Sequence, residues 1–430
     1  MLDRGKSPEL RTFDDLRFDY PDYITLPNGV KVYVVNRGDQ EVNRLELICR
    51  GGVMEETKAL QSLTLSSMFV HGSDEVSSAE VAEILDYYGA YMNATNSDNF
   101  TQVQLNSLNK NFDEVLPLMK NLIEAPAVPE REFEVFKTQM KSAYKTACEK
   151  VKYLAQTLGH KMYYGDAHPL ALRVKDEDVD NLTREDVLAF HKQYYRAENM
   201  ALVLSGCVGE RELKLVEEYF GQEEAKGSAA TLVDVERNAW SERVAVENKE
   251  DALQSAVYMM HEGVLRSHED YVNLRILVTA LGGYFGSRLM QNIREDKGYT
   301  YGINAMLMGR RTGSKMVVMS ECDTAYTEPL IAEVKHEVKR LQDELMSEGE
   351  LAIVKNCMLS DLAKTLDSPL SMASCVGTNL LYATGEDYFN RQVRDINKIT
   401  PEKLREVANR YLDVEKFYIA VAGDAKQLKL

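Results

Sequence analysis

No stretch of this chain approaches the roughly 18 consecutive apolar residues that a membrane-spanning helix requires. Its start, Met1-Leu2-Asp3-Arg4-Gly5-Lys6-Ser7-Pro8, has no apolar core of the signal-peptide kind. A cytoplasmic location is favoured if that start is native, and a periplasmic one stays open if a leader was removed. Positive charge is scarce: 51 Lys and Arg stand against 68 Asp and Glu, for a net charge of −17. Such a field repels phosphate backbones and anionic lipid, so neither nucleic acid nor a membrane surface is expected as a partner. The six cysteines, Cys49, Cys148, Cys207, Cys322, Cys357 and Cys375, include no Cys-x-x-Cys pair. That argues against a zinc ribbon or a redox pair and fits buried thiols in a reducing compartment, while the even count leaves disulfides open. Paired histidines are also missing. Among His71, His160, His168, His191, His261, His268 and His336, no two stand three or four apart, and His261-Glu262 has Leu265 where a zincin helix needs its second histidine.

What is present is a repeat. Thr183 and Thr400, Glu185 and Glu402, Tyr194 and Tyr411, and Gly206 and Gly423 are each 217 residues apart. Each copy reads as an N-cap threonine, a short amphipathic helix with an aromatic near its end, and an apolar strand stopped by glycine. Earlier in each half, His71-Gly72-Ser73 is echoed by Phe285-Gly286-Ser287, and Gly89-Ala90-Tyr91-Met92-Asn93-Ala94 by the stretch from Gly298 to Ala305. At 430 residues the chain exceeds the roughly 250–300 at which one core stops growing. Two homologous domains are therefore expected, 1–220 and 239–430, joined by a polar, small-residue linker at 221–238. The stretch from Leu26 to Val35 reads as a turn between strands, and Thr101 to Leu105 alternates as a half-buried strand. Helical spacing runs from Phe112 to Ile123 and from Glu132 to Lys152. The fold class expected is α+β, each domain a mostly antiparallel sheet covered by helices.

Gly286-Ser287-Arg288-Leu289 followed by Ile293-Arg294-Glu295-Asp296-Lys297-Gly298-Tyr299-Thr300-Tyr301 resembles the C-terminal half of the pitrilysin, insulysin and mitochondrial processing peptidase family of inverted zincins. The run from Tyr88 to Thr95 and the helix starts at Thr183 and Thr400 resemble it too, and the likeness extends from about Leu26 to Gly423. It implies half of a clamshell that closes on an unfolded or short peptide. Competent members hold zinc through a His-x-x-Glu-His helix and a later glutamate. Here those positions fall on Leu63-Thr64-Leu65-Ser66-Ser67, so Leu63 and Ser67 replace the histidines and Ser66 the glutamate base. The helix after Pro129, where the third ligand is expected, has no carboxylate between Val135 and Ala147, with Gln139 near the relevant place. No metal or other cofactor is therefore expected in this chain, and zinc is expected in a partner subunit.

The resemblance assigns to Arg294 and Tyr301 a pair that donates hydrogen bonds to the substrate carbonyl across the chamber. The plain alternative is a helix-end cation beside Glu295 and Asp296 and a tyrosine packed in a sheet. Asn93, Ala94 and Thr95 resemble the edge to which a substrate strand adds, or serve as scaffold. Gly282-Gly283 and Gly286 match either a short substrate-handling loop or a tight helix turn. The expected function is a non-catalytic subunit of a heterodimeric zinc endopeptidase, inactive alone, with a zinc-bearing homologue and a peptide as partners. The alternative is an inert structural or peptide-binding subunit, like the core proteins of respiratory complexes.

Overall fold

The computed structural model describes residues 13, 16–222 and 228–428. The polar start and residues 223–227 of the expected linker lie outside the described residues. Two sheets organise the chain. The first contains β1 (Tyr23–Thr25), β2 (Lys31–Asn36), β3 (Val42–Arg50), β4 (Tyr91–Asn96), β5 (Phe100–Leu108) and β6 (Met200–Gly206), in the order β1-β2-β6-β3-β5-β4. The second contains β7 (Val244–Asn248), β8 (Gln254–Glu262), β9 (Thr300–Gly309), β10 (Ser314–Asp323) and β11 (Tyr418–Gly423), in the order β7-β11-β8-β10-β9. With β1 set aside the two orders coincide, β2 matching β7, β6 matching β11, β3 matching β8, β5 matching β10 and β4 matching β9. The one parallel pair of each sheet, β2 with β6 and β7 with β11, occupies the same place in both, and every other pairing is antiparallel. The α+β architecture and the duplication are thus present as read from the sequence.

The repeat units form as their residues dictate. Thr183 Oγ1 accepts from Asp186 N at 3.2 Å and Thr400 Oγ1 from Lys403 N at 3.3 Å, so each threonine satisfies a donor that its helix leaves unpaired. The helices Arg184–Tyr194 and Pro401–Tyr411 each lead into a central strand, β6 and β11. Every residue of β11 is buried because apolar layers cover both of its faces. Gly89 and Gly298 occupy the same left-handed conformation, φ 60° and 65°, each just before an edge strand, β4 or β9. A side chain would be strained there.

Two features depart from the sequence reading. The expected helix from Glu132 to Lys152 is broken into Glu130–Cys148 and Val151–Tyr164. At the break the Glu149 and Lys150 amides turn back to the carbonyls of Thr146 and Ala147. The second departure is that the halves exchange a helix. Val151–Tyr164 packs on β8 and β11 of the second sheet, where Leu154, Leu158 and Met162 bury against Tyr258, Met260 and Ala420. Pro369–Tyr382 packs on β2 and β6 of the first sheet, with Met372 and Val376 in one cluster with Val35, Ile48 and Val203. Amphipathic spacing shows which helix face is apolar but not which sheet it meets. Of the cysteines expected to be buried, Cys49 and Cys322 are, and the other four are only half-buried.

Lys315 of β10 lies inside this exchanged layer. It is 1% exposed, and its Nζ has no hydrogen-bond partner among the described residues. Nζ sits 4.8 Å from the centre of the Tyr164 ring and 5.6 Å from that of Tyr163. Burial, reinforced by Arg310 and opposed by Asp98, lowers its pKa to about 7. In the unfolded chain this lysine keeps its proton up to its ordinary value of 10.5. Between those two values the unfolded state binds more protons, so stability rises with pH across that window. Lys315→Met removes the charge that must be desolvated. Denaturant unfolding at several pH values is expected to show that gain in the wild type and not in the variant. At neutral pH the variant is expected to be more stable by on the order of 1–3 kcal/mol.

Candidate functional site

The helix Gln61–Met68 stands where the sequence places the zinc motif. It starts from Leu60, which has a left-handed backbone at φ 75°, and Glu56 holds that start. Glu56 Oε2 accepts from Leu60 N at 3.1 Å, and Oε1 accepts from Ser62 N at 2.8 Å and from Ser62 Oγ at 2.6 Å. Burial raises the Glu56 pKa against those stabilising bonds. Asn96 Nδ2, at the end of β4, donates to Ser62 Oγ at 3.0 Å and ties the helix to the sheet edge.

The donor set at the motif positions does not suit zinc. Leu63 has no ligating atom, Ser66 is buried with its Oγ donating to the Ser62 carbonyl at 2.8 Å, and Ser67 offers only a hydroxyl. Neutral hydroxyls are poor zinc ligands beside imidazole, thiolate and carboxylate. Gln139 is exposed on the helix Glu130–Cys148. Among the described residues no group of three or more His, Cys, Asp or Glu stands close enough to hold a metal ion. Several histidines are instead held by the backbone: His191 Nε2 lies 2.6 Å from the Ile123 carbonyl, and His168 Nδ1 accepts from Leu170 N.

Asn93, Ala94 and Thr95 lie in β4, which pairs with β5 and leaves its other side as the sheet edge. Asn93 and Ala94 are half-buried and Thr95 is exposed.

Arg294 and Tyr301 are brought together on the second sheet. Residues Met290–Asp296 form a π-helical turn in which Lys297 N bonds to Asn292 O at 3.1 Å. Such turns are rare and cluster at functional sites. Gly298 then reverses the chain into β9. Arg294 Nε donates to the Tyr301 carbonyl at 3.0 Å, and Nη1 pairs with Glu295. The guanidinium carbon sits 4.8 Å from the centre of the Phe285 ring. Nη2 has no protein acceptor among the described residues. The Tyr301 side chain is 94% exposed and Phe285 66% exposed. The sequence gives Phe285 no role, since an aromatic in a Gly-rich loop carries no periodic signal. Gly282 is a place of close packing, because a Cβ there would come within 2.6 Å of Ala305 Cβ on β9. No hydrogen bond or ion pair among the described residues links the Arg294–Tyr301 group to the Leu63, Ser66 and Ser67 group. The two belong to different sheets.

Comparison with known proteins shows the family and the fold. The family model for "Insulinase (Peptidase family M16)" matches residues 31–173, and that for "Peptidase M16 inactive domain" matches 181–358. An uncharacterized zinc protease of Bacillus subtilis, YmxG, is 23% identical over 92% of this chain and 97% of its own length. A Helicobacter pylori protein named a non-peptidase homolog is 21% identical over 90% of each chain. The crystal structure of a peptidase M16 inactive domain from Pseudomonas fluorescens superposes with a TM-score of 0.87 at 20% identity, covering 95% of this chain and all of that one. With both matched domains and a duplicated sheet, this chain belongs to peptidase family M16.

Proposed function

We propose that this chain is the non-catalytic subunit of a heterodimeric zinc endopeptidase. In that assembly a homologous partner holds the metal, and this chain lends Arg294 and Tyr301 to the same chamber. The observation that carries the reading is the contrast between the two halves. The zinc-motif helix presents Leu63, Ser66 and Ser67, whereas Arg294 and Tyr301 are held side by side with the phenol in solvent. The Tyr301 hydroxyl and the free Arg294 Nη2 can donate to a substrate carbonyl and stabilise the negative charge that develops on it. The edge of β4 offers backbone groups to an extended peptide.

An inert structural or binding subunit is the second reading, and the non-peptidase name of the Helicobacter pylori relative favours it. Association separates the two. Mixed with a homologue of similar length that carries His-x-x-Glu-His, this chain is expected to sediment as a one-to-one complex. Failure to associate under any ionic strength leaves the structural reading.

A further inference from the structure

We propose that a pocket beside the Pro369–Tyr382 helix binds a small carboxylate carried on an apolar body. The pocket encloses about 190 Å³ between the N-terminal segment at Phe18 and Tyr20, that helix, and the start of the helix Tyr388–Lys398. That volume is roughly six times a water molecule's share of the liquid, enough for a single-ring acid.

Two donors in its lining, Arg266 Nε and Tyr20 Oη, have no acceptor among the described residues. Arg266 Nε is buried and unpartnered, and Arg266 Nη1 reaches only the Tyr388 hydroxyl, at 3.5 Å. Arg275 Nη1 donates to the neutral Gln392 amide. Neither guanidinium makes an ion pair among the described residues. In a chain with an excess of 17 negative charges, two arginines that line one pocket and pair with no carboxylate among the described residues call for an anion. Tyr20 Oη is buried without a partner in hydrogen-bond geometry, although the Asn379 amide lies close by. Burial pushes that phenol up to about 12, so it stays a donor at any physiological pH. Glu386 is the acidic side chain in the lining; it is exposed and joins no ion pair among the described residues. Buried donors left open in this way are costly unless an acceptor fills them.

The walls decide which anion. Phe18 and Phe389 are buried apolar side chains in the lining, and Leu362 joins them. Such walls suit a ring or branched alkyl group, while a phosphate would lose hydration against them. The Tyr382 ring stacks under the Arg266 guanidinium at 4.0 Å and holds its plane. This pocket is separate from Arg294 and Tyr301 and does not depend on the peptidase reading.

The test is calorimetric titration of the full chain with benzoate, benzamide and inorganic phosphate. Benzoate is expected to bind at one saturable site, with benzamide and phosphate weaker by about ten-fold or more. Arg275→Gln is expected to weaken benzoate by about ten-fold. Tyr20→Phe removes a hydroxyl with no partner in hydrogen-bond geometry among the described residues, so the fold is expected to survive while benzoate binding falls several-fold. No saturable heat with benzoate at millimolar concentrations overturns the proposal, as does benzamide binding equally well. If Arg275→Gln does not fold, Tyr20→Phe decides, and unchanged benzoate affinity in it also overturns the proposal.

Discussion

Tyr301→Phe is expected to lower peptide hydrolysis by the mixed subunits by about ten-fold or more, and up to 10²–10³-fold, the usual yield of one positioned oxyanion donor. The same change is expected to leave the stability of the chain within about 0.5 kcal/mol, as for surface substitutions generally. The pairing of a large and a null effect follows from geometry. The Tyr301 side chain is 94% exposed, its hydroxyl bonds to nothing among the described residues, and only its backbone carbonyl holds Arg294. Phenylalanine keeps the backbone and the ring and removes only the donor. Turnover of a quenched peptide, measured beside thermal unfolding, checks both halves. An equal loss of activity and stability would mean that the tyrosine is a packing residue after all.

The second large effect concerns the exchanged helices. Gly159, on Val151–Tyr164, lies so close to the second sheet that a Cβ would fall 2.7 Å from Tyr258 Cδ1 and 2.9 Å from Met260 Cε. Gly377 is its counterpart on Pro369–Tyr382, and a Cβ there would meet nothing nearer than Ile48 Cδ1 at 3.9 Å. Gly159→Leu is therefore expected to push the helix off β8 and β11 and to cost about 3 kcal/mol, the upper range for overpacking. Gly377→Ala is expected to stabilise by about 0.4–1 kcal/mol, because it restricts the unfolded chain at no steric cost. Denaturant unfolding of the two variants checks the pair. The sign of the difference depends on the exchange, since neither glycine is special if each helix packs on the sheet of its own half.

The repeat is legible in the sequence because its signals are local. A capping threonine, an amphipathic helix and an apolar strand each depend on residues within a few positions, and Thr183 and Thr400 cap as their spacing predicts. The expectation that Leu63, Ser66 and Ser67 stand at zinc-motif positions rests on residues that are equally local. What remained hidden is non-local or irregular. No periodicity tells Val151–Tyr164 that it belongs on Tyr258 and Met260 rather than on its own sheet. A seven-residue π turn at Met290–Asp296 has too few residues to separate its period from that of an α-helix. Phe285 under Arg294 is a contact across nine positions in a loop, and Lys315 reads as a surface lysine in a strand until its neighbours are seen. The pocket at Arg266 and Arg275 draws on segments from Phe18 to Gln392, so no window of sequence contains it.

The most direct test of the central claim is hydrolysis of a quenched peptide library by this chain alone, by its zinc-bearing homologue alone, and by the two together, with zinc supplied throughout. The account predicts activity in the mixture and none with this chain alone. Zinc-dependent hydrolysis by this chain by itself, or a mixture no more active than the homologue alone, would contradict it.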